Sequence, residues 1–307
     1  MKVLGIDSSG LVASVAVVED DILLAEYTVN YKKTHSQTLL PMLKEIGDMI
    51  NLDLNSLDAI AIAAGPGSFT GLRIGSATAK GLGLALDKPI IPVPTVDGLA
   101  YDLWGTDKIV CPIMDARRNQ VYTGIYEFCD GKLQILENQM AVSVTEIAEK
   151  LNALGREVIF LGDGVPVYRK TLAEVMKIPY SFAPAHMNRQ RASAVAVLGA
   201  QYYVQGRAES AMEHKPDYLR VSQAERERAA KEKNAAPEIR RMVMEDGAAI
   251  AELEYSLFRD AWSEKSVLET LKQPNAICLI AEKADRTAGY LLAYTAAEEM
   301  EIARIGV

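Results

Sequence analysis

The chain has little of several residue types on which chemistry often rests. Of its 307 residues, three are cysteines and three are histidines, and aromatic side chains make up 7%. Cys111, Cys129 and Cys278 show no CxxC spacing. That argues against a disulfide framework or a cysteine zinc site and fits thiols in a reducing compartment. His35, His186 and His214 form no HxxxH or HExxH pair, so no histidine-built metal centre is expected. No apolar run approaches the ~18 residues of a membrane span. Asp7 interrupts the apolar stretch that follows Lys2, which reads as a first strand and not a signal peptide. A cytoplasmic protein without membrane association is expected. Ser8, Ser9 and Ser68 sit on turns, but none lies in a GxSxG elbow, so no nucleophilic serine stands out. The net charge of −8 opposes a strong nonspecific hold on nucleic acid by this chain alone.

What is present is ordinary globular composition, 49% hydrophobic and 24% charged, in a chain long enough for two domains or more. Residues 3–7, 13–18 and 22–28 read as three strands with a turn at Asp20-Asp21. The pattern returns later: a strand from Ile109 to Met114 ends at Asp115, a second runs from Val121 to Phe128, Asp130-Gly131 turns the chain, and a third covers 132–136. This weak duplication predicts two similar α/β lobes. Thr34 and Gln37 have capping-box spacing for a helix from about His35. Leu39, Leu43, Ile46 and Ile50 give that helix an apolar stripe, and Pro41 is expected to kink it. Glu157 to Leu161 reads as a strand running into Gly162-Asp163-Gly164, and residues 191–205 as a helix. The stretch 222–237 is highly charged, lacks large apolar residues and buries no core. After it, strand 239–242, helices near 245–258 and 263–272, and strands 276–282, 289–295 and 300–307 form a new unit.

The most informative stretch is DAIAIAAGPGSFTGLR at 58–73. The apolar run Ala59–Ala64 reads as a buried strand and Gly65-Pro66-Gly67 as a tight turn. Ser68 or Thr70 can cap the helix that follows. A helix N-terminus after such a turn offers unpaired N–H groups to an anion. A plain strand-to-helix turn is the simpler reading. In the helix, Gly71, Gly75, Ala79 and Gly83 recur every four residues with Gly81 alongside, and interior glycines cost about 1 kcal/mol each relative to alanine. A ridge of small residues offsets this by letting another element approach closely, either within the same domain or on a second protein.

Gly5-Ile6-Asp7-Ser8-Ser9 resembles the first phosphate loop of the actin, sugar-kinase and heat-shock-ATPase superfamily. Asp115 stands at the duplicated position, and Gly162 and Gly164 where that superfamily holds adenosine. Residues 1–221 resemble the TsaB family through GIDSS at 5–9, HSQTLLP at 35–41, GPGSFTGLRIG at 65–75, DARRNQVY at 115–122, LGDG at 161–164 and PDYLR at 216–220. The resemblance implies a two-lobed actin-like fold (RNase H-like lobes, 1–100 and 101–221). It implies a non-catalytic scaffold for threonylcarbamoylation of tRNA adenosine that pairs with TsaD, with TsaE docking on the pair and tRNA reached only through the complex. It implies no intrinsic cofactor or metal, ATP or ADP at most on the TsaD side, and a homodimer when the chain is alone. Degenerate phosphate-loop positions would be Asp7, Ser8, Ser9, Gly65, Gly67, Ser68, Thr70, Asp115, Gly162 and Gly164. The partner seam is expected at His35, Leu39, Leu43, Gly71, Gly75, Ala79 and Gly83. Beyond a charged linker at 222–237, residues 238–307 resemble the N-terminal part of a RimI-type GNAT acetyltransferase through IRRM, AWSE and EIARIGV. A truncated α/β fragment with an incomplete acetyl-coenzyme A site is expected there. The first alternative to the scaffold is a bifunctional protein whose intact C-terminus is a ribosomal-protein N-alpha-acetyltransferase, and the lesser one is an actin-like ATPase or phosphotransferase with Asp7 and Asp115 placing a metal.

Overall fold

The computed structural model describes residues 1–31, 35–220, 237–283, 286–296 and 299–307. Thr34 of the expected capping box, nearly all of the charged segment 222–237 and the turn at Asp285 lie outside the described residues. The chain divides into two compact units, Met1–Arg220 and Val221–Val307.

In the first unit, β1 (Lys2–Asp7), β2 (Ala13–Glu19), β3 (Ile22–Val29), β4 (Ala59–Gly65) and β5 (Ile90–Pro94) form a sheet of order β3-β2-β1-β4-β5. A second sheet contains β6 (Ile109–Asp115), β7 (Gln120–Cys129), β8 (Lys132–Ser143), β9 (Val158–Leu161) and β10 (Tyr180–Phe182), in the order β8-β7-β6-β9-β10. The two orders are the same. In each sheet three antiparallel strands are followed by two that run parallel to the first. The duplication read from the sequence is therefore a duplication of topology. Asp20 and Asp130 turn the equivalent hairpins with the same φ of 50°. Asp7 and Asp115 each end the central strand of their sheet.

Helices α1 (His35–Met49) and α2 (Phe69–Leu86) cover one face of the first sheet, and α6 (Ala192–Val204) covers the other. With both faces covered, β4 reads AIAIAA, all buried, without the alternation of a half-exposed strand. α1 runs unbroken through Pro41, which lies on its exposed side. On the second sheet lie α4 (Val144–Leu154) and α5 (Gly164–Val175), whose Ile147, Leu151, Val165 and Leu172 join Ile113 and Phe160 in the core.

Helices pack across the lobe boundary read at residue 100. α6 follows the second sheet in the chain yet packs on β1, β2, β4 and β5 of the first. A Cβ on Gly199 would lie 2.5 Å from the Cβ of Ala61, so the fit between helix and sheet requires small residues on both sides. In the reverse sense α3 (Thr95–Tyr101), together with Leu103, gives Val96, Leu99 and Ala100 to a core with Val110, Met114, Tyr126 and Leu161 of the second lobe. Asp97 of α3 pins the crossing. Its buried carboxylate accepts the hydroxyls of Tyr126 from β7 and Tyr202 from α6, each at 2.8 Å.

The second unit is an antiparallel sheet of order β11-β12-β13-β14 made of β11 (Glu238–Arg241), β12 (Ala276–Lys283), β13 (Arg286–Ala296) and β14 (Glu299–Gly306). α7 (Gly247–Leu257) and α8 (Glu264–Leu271) supply Ile250 and Val267 to a core with Cys278, Ile280 and Leu292. Glu254 on α7 is fully buried and paired with Arg304 of β14. Leu292 pairs with Arg304 and Ala293 with Ile302, so Ala303 is an extra residue that bulges β14.

Candidate functional site

Of the residues singled out as a degenerate phosphate site, Asp7, Ser8, Ser9, Gly65, Gly67, Ser68 and Thr70 lie around the ends of β1 and β4, and Asp115, Gly162 and Gly164 lie in the second lobe. Asp7 is buried, and its Oδ1 accepts the Ser9 N–H at 2.9 Å and the Ser9 hydroxyl at 2.7 Å. Burial pushes the Asp7 carboxyl up to about 6, against the opposing pull of those two hydrogen bonds and the nearby His35. The Ser8 hydroxyl donates to the Gly71 carbonyl at 2.9 Å. Ser68 caps α2 by accepting the Gly71 N–H, which settles the choice between Ser68 and Thr70.

The anion cradle expected at Gly65–Thr70 is closed by the protein itself. The Ser68 N–H donates to the Ser9 carbonyl at 2.6 Å, and the Gly65 N–H to the Thr95 hydroxyl at 3.2 Å. A Cβ on Gly67 would collide with that same Ser9 carbonyl. A phosphate seated on this turn would have to displace the loop after β1, so the residues present do not fit one. The fit between Ser8-Ser9 and Gly67-Gly71 is a loop-to-loop contact made from the two motifs that looked like separate halves of a nucleotide site.

In the second lobe, Asp115 and Asp163 lie together, with the Asp115 N–H donating to Asp163 Oδ1 at 3.0 Å. Burial raises the Asp163 carboxyl. Gly162, at φ 108°, and Gly164 have no Cβ because the Ile113 carbonyl of β6 presses against both. Arg117, Arg118 and Asn119 all have positive φ (63°, 57° and 57°), a costly run for non-glycine residues that reverses the chain between β6 and β7. Among the described residues, no three His, Cys, Asp or Glu side chains are grouped so as to hold a metal ion.

Of the residues expected to form a partner seam, His35 is half-buried and the others are buried within the first unit. Leu39 and Leu43 lie in the core of the first sheet. The His35 ring is hydrogen-bonded through Nε2 to the Gly10 carbonyl at 2.8 Å, tying α1 to the loop after β1. Gly71, Gly75, Ala79 and Gly83 are all buried. A Cβ on Gly71 or Gly75 would run into Ser8, and one on Gly83 would lie 2.8 Å from the Cβ of Ala211. The glycine ridge lets α2 settle on its own lobe. The surface that α2 leaves open is the opposite one, Thr70, Arg73, Ala77, Gly81 and Leu84, and no atom comes within 4 Å of where a Gly81 Cβ would stand. Beside it, α1 exposes Leu40, and Leu40, Gly47, Leu52, Leu54 and Leu82 line a groove of about 470 Å³.

The sequence reading missed a strap. Residues 217–220 cross from the Gly65 turn to the second lobe. The Asp217 N–H donates to the Ala64 carbonyl at 2.7 Å, and the Asp217 carboxylate accepts Gln139 of β8 at 2.9 Å. The Tyr218 ring packs on Phe69 with centroids 4.9 Å apart, and Arg220 donates to the Ala116 carbonyl at 2.7 Å. The PDYLR motif carried this signal only as a pattern, since nothing in its spacing says which loops it crosses.

Comparison with known proteins agrees with this geometry. The family described as TsaD, tRNA N6-adenosine threonylcarbamoyltransferase, matches residues 23–228. The tRNA threonylcarbamoyladenosine biosynthesis protein TsaB of Bacillus subtilis is 34% identical over 227 residues, 73% of this chain and 96% of that protein. The protein of the same name from Escherichia coli is 30% identical over 239 residues, 76% of this chain and all of its own length. Among solved structures, YeaZ from Pseudomonas aeruginosa superposes with a TM-score of 0.62 at 26% identity, covering 71% of this chain and 99% of its own. With relatives 30% and 34% identical over about three quarters of its length and nearly the whole of theirs, this chain belongs to the TsaB family.

Proposed function

We propose that the first unit is a non-catalytic subunit in the biosynthesis of threonylcarbamoyladenosine in tRNA, and that it works by pairing with a TsaD-type transferase. The observation that supports this best is the Ser9 carbonyl seated against Gly67 and Ser68, where a nucleotide-using relative of the actin-like class would need an open phosphate turn. With that turn filled, what the chain offers is surface: the outward side of α2, the exposed Leu40 of α1 and the groove between them. An ATPase of the TsaE type would dock on the resulting pair, ATP or ADP would bind at most on the partner's side, and tRNA would be met through the complex. In the partner's absence the same apolar surface would favour self-association.

Reconstitution tests this reading. Purified chain, a TsaD-type subunit, the remaining components and tRNA should yield modified adenosine by nucleoside mass spectrometry. Omitting this chain should lower the yield, and Asp7→Ala should leave it largely intact. Sustained ATP turnover by the isolated chain that disappears in Asp7→Ala would instead favour the phosphotransferase reading.

A second reading applies to residues 238–307, which we propose to be the N-terminal part of an acetyltransferase of the RimI type. It is favoured by the order β11-α7-α8-β12-β13-β14 and the bulge at Ala303, which would present backbone donors beside the strand. Calorimetry with acetyl-coenzyme A tests this reading: saturable micromolar binding that is lost when residues 238–307 are removed would support it, and no binding would leave the acetyltransferase assignment without support.

A further inference from the structure

We propose that Arg73 is a pre-organised anchor for a carboxylate on a protein partner, held ready by Phe69 and the strap residue Tyr218. Three observations carry this. The Arg73 guanidinium lies 4.0 Å from the centre of the Phe69 ring, and its Nε donates to the Tyr218 hydroxyl at 3.3 Å. Phe69 and Tyr218 are themselves packed against each other, so the arginine rests on an aromatic shelf. Among the described residues no acidic side chain pairs with Arg73, although its side chain is exposed.

A free surface arginine samples many rotamers. Stacking on one ring and bonding to a second fixes this one, and among the described residues its two terminal nitrogens, the ends that grip a carboxylate bidentately, make no hydrogen bond. The entropic cost of ordering the side chain is thereby met before any partner arrives. The strap is what makes the shelf complete. Tyr218 comes from the far end of the first unit, and it is placed by the Asp217 bonds to Ala64 and Gln139.

The surroundings indicate which kind of partner. Arg73 heads the outward side of α2, followed at helical spacing by Ala77, Gly81 and Leu84. A lone arginine and a tyrosine bordering small and apolar residues have the composition of a protein interface core. A nucleic-acid surface would instead gather cations. The next cation on the helix, Lys80, is held by the carbonyls of Met212 and His214, and the chain as a whole carries −8. Ala77 and Gly81 allow a partner helix to lie close, and an Asp or Glu on it would reach Arg73.

This rests on the pairing proposed above, so the test separates the two. Affinity of the full chain for a TsaD-type subunit is measured by isothermal titration calorimetry. Wild-type chain should bind. Arg73→Glu should weaken binding by about 100-fold, Arg73→Lys by about tenfold because the planar fork is lost, and Tyr218→Ala by about tenfold because the shelf is lost. Thermal melting should be unchanged in the two Arg73 variants, which alter an exposed side chain only. Wild-type affinity in Arg73→Glu would overturn the anchor while leaving the pairing intact. Absence of binding by the wild-type chain would overturn the pairing and the anchor together. Unchanged pairing with a loss of tRNA retention in Arg73→Glu would overturn the protein assignment in favour of RNA.

Discussion

Gly71→Ala and Gly81→Ala are the same substitution on the same helix, and the structure gives them opposite signs. Gly81 is interior to α2, where alanine is favoured by about 1 kcal/mol, and Gly71 lies in its first turn, where the gain is at most about that. At Gly81 nothing lies within 4 Å of the new Cβ, so the propensity gain is realised and the variant should be about 1 kcal/mol more stable. At Gly71 the new Cβ would stand 2.1 Å from the Ser8 carbonyl oxygen, a backbone atom that no rotamer change can move aside. Relief requires α2 or the loop after β1 to retreat. That retreat would strain the Ser8 hydroxyl bond to the Gly71 carbonyl and the Ser68 N–H bond to Ser9. Overpacking of this kind costs about 3 kcal/mol at the upper end of its usual range. Set against the helix gain, the net is a loss of about 2 kcal/mol. For a unit of this size that is a drop in melting temperature on the order of 4–8 °C. Differential scanning calorimetry of both variants in the full chain reads this directly. A Gly71→Ala protein as stable as wild type would refute the claim that the sealed loop pair sets the position of α2. The same logic makes Gly75→Leu unsuitable as an interface probe, since its side chain would be driven into Ser8 and Ile62 of its own lobe.

Three further outcomes follow from buried groups. Asp97→Ala leaves the hydroxyls of Tyr126 and Tyr202 without their acceptor and should destabilise the first unit by about 2–5 kcal/mol in urea unfolding, against about 1 kcal/mol for Tyr126→Phe. Asp7 is protonated more readily folded, at about 6, than unfolded, near 3.8, so its contribution to stability is fully present below the lower value and is lost as pH rises to the higher. Asp7→Asn should remove that loss. Its stability advantage over wild type should grow between pH 4 and 6 to roughly 2–3 kcal/mol, and a pH-independent difference would contradict the assignment. Burial pushes the Cys111 thiol up to about 12 and raises Cys278, whereas Cys129 is exposed. A disulfide reagent at neutral pH should therefore label the native chain rapidly at Cys129, with the other two reacting only on unfolding.

Much of the frame was legible because it depends on local pattern. Apolar runs bounded by turn residues located four of the five strands in each sheet, missing the edge strands β5 and β10, and the repeat of strand, Asp, hairpin and Asp turn placed Asp7 and Asp115 on equivalent strands. What escaped the sequence depends on contacts between distant segments. The helix at 192–204 is apolar all round, so periodicity could not say which sheet it covers, and it covers the earlier one. The partners of Asp97 come from β7 and α6, far from it in the chain, and the strap at 217–220 has meaning only once the Gly65 turn and Ala116 stand beside it.

The glycines of α2 show the same limit most sharply. A four-residue repeat on a helix of period 3.6 defines a ridge, and a ridge of small residues requires a close neighbour. The repeat contains nothing that distinguishes a neighbour in the same lobe from one in another protein. At Gly71 and Gly75 the neighbour proves to be Ser8 of the loop after β1, and at Gly83 it is Ala211. The Ser9 carbonyl in turn accepts the Ser68 N–H, so the serine loop and the glycine turn contact each other. Once that face is taken, helical geometry leaves Arg73, Ala77, Gly81 and Leu84 as the surface of α2 free to meet another chain. A change that separates Ser8 from Gly71 would therefore be expected to weaken pairing indirectly, by displacing α2, whereas a change at Arg73 would weaken it with the fold intact.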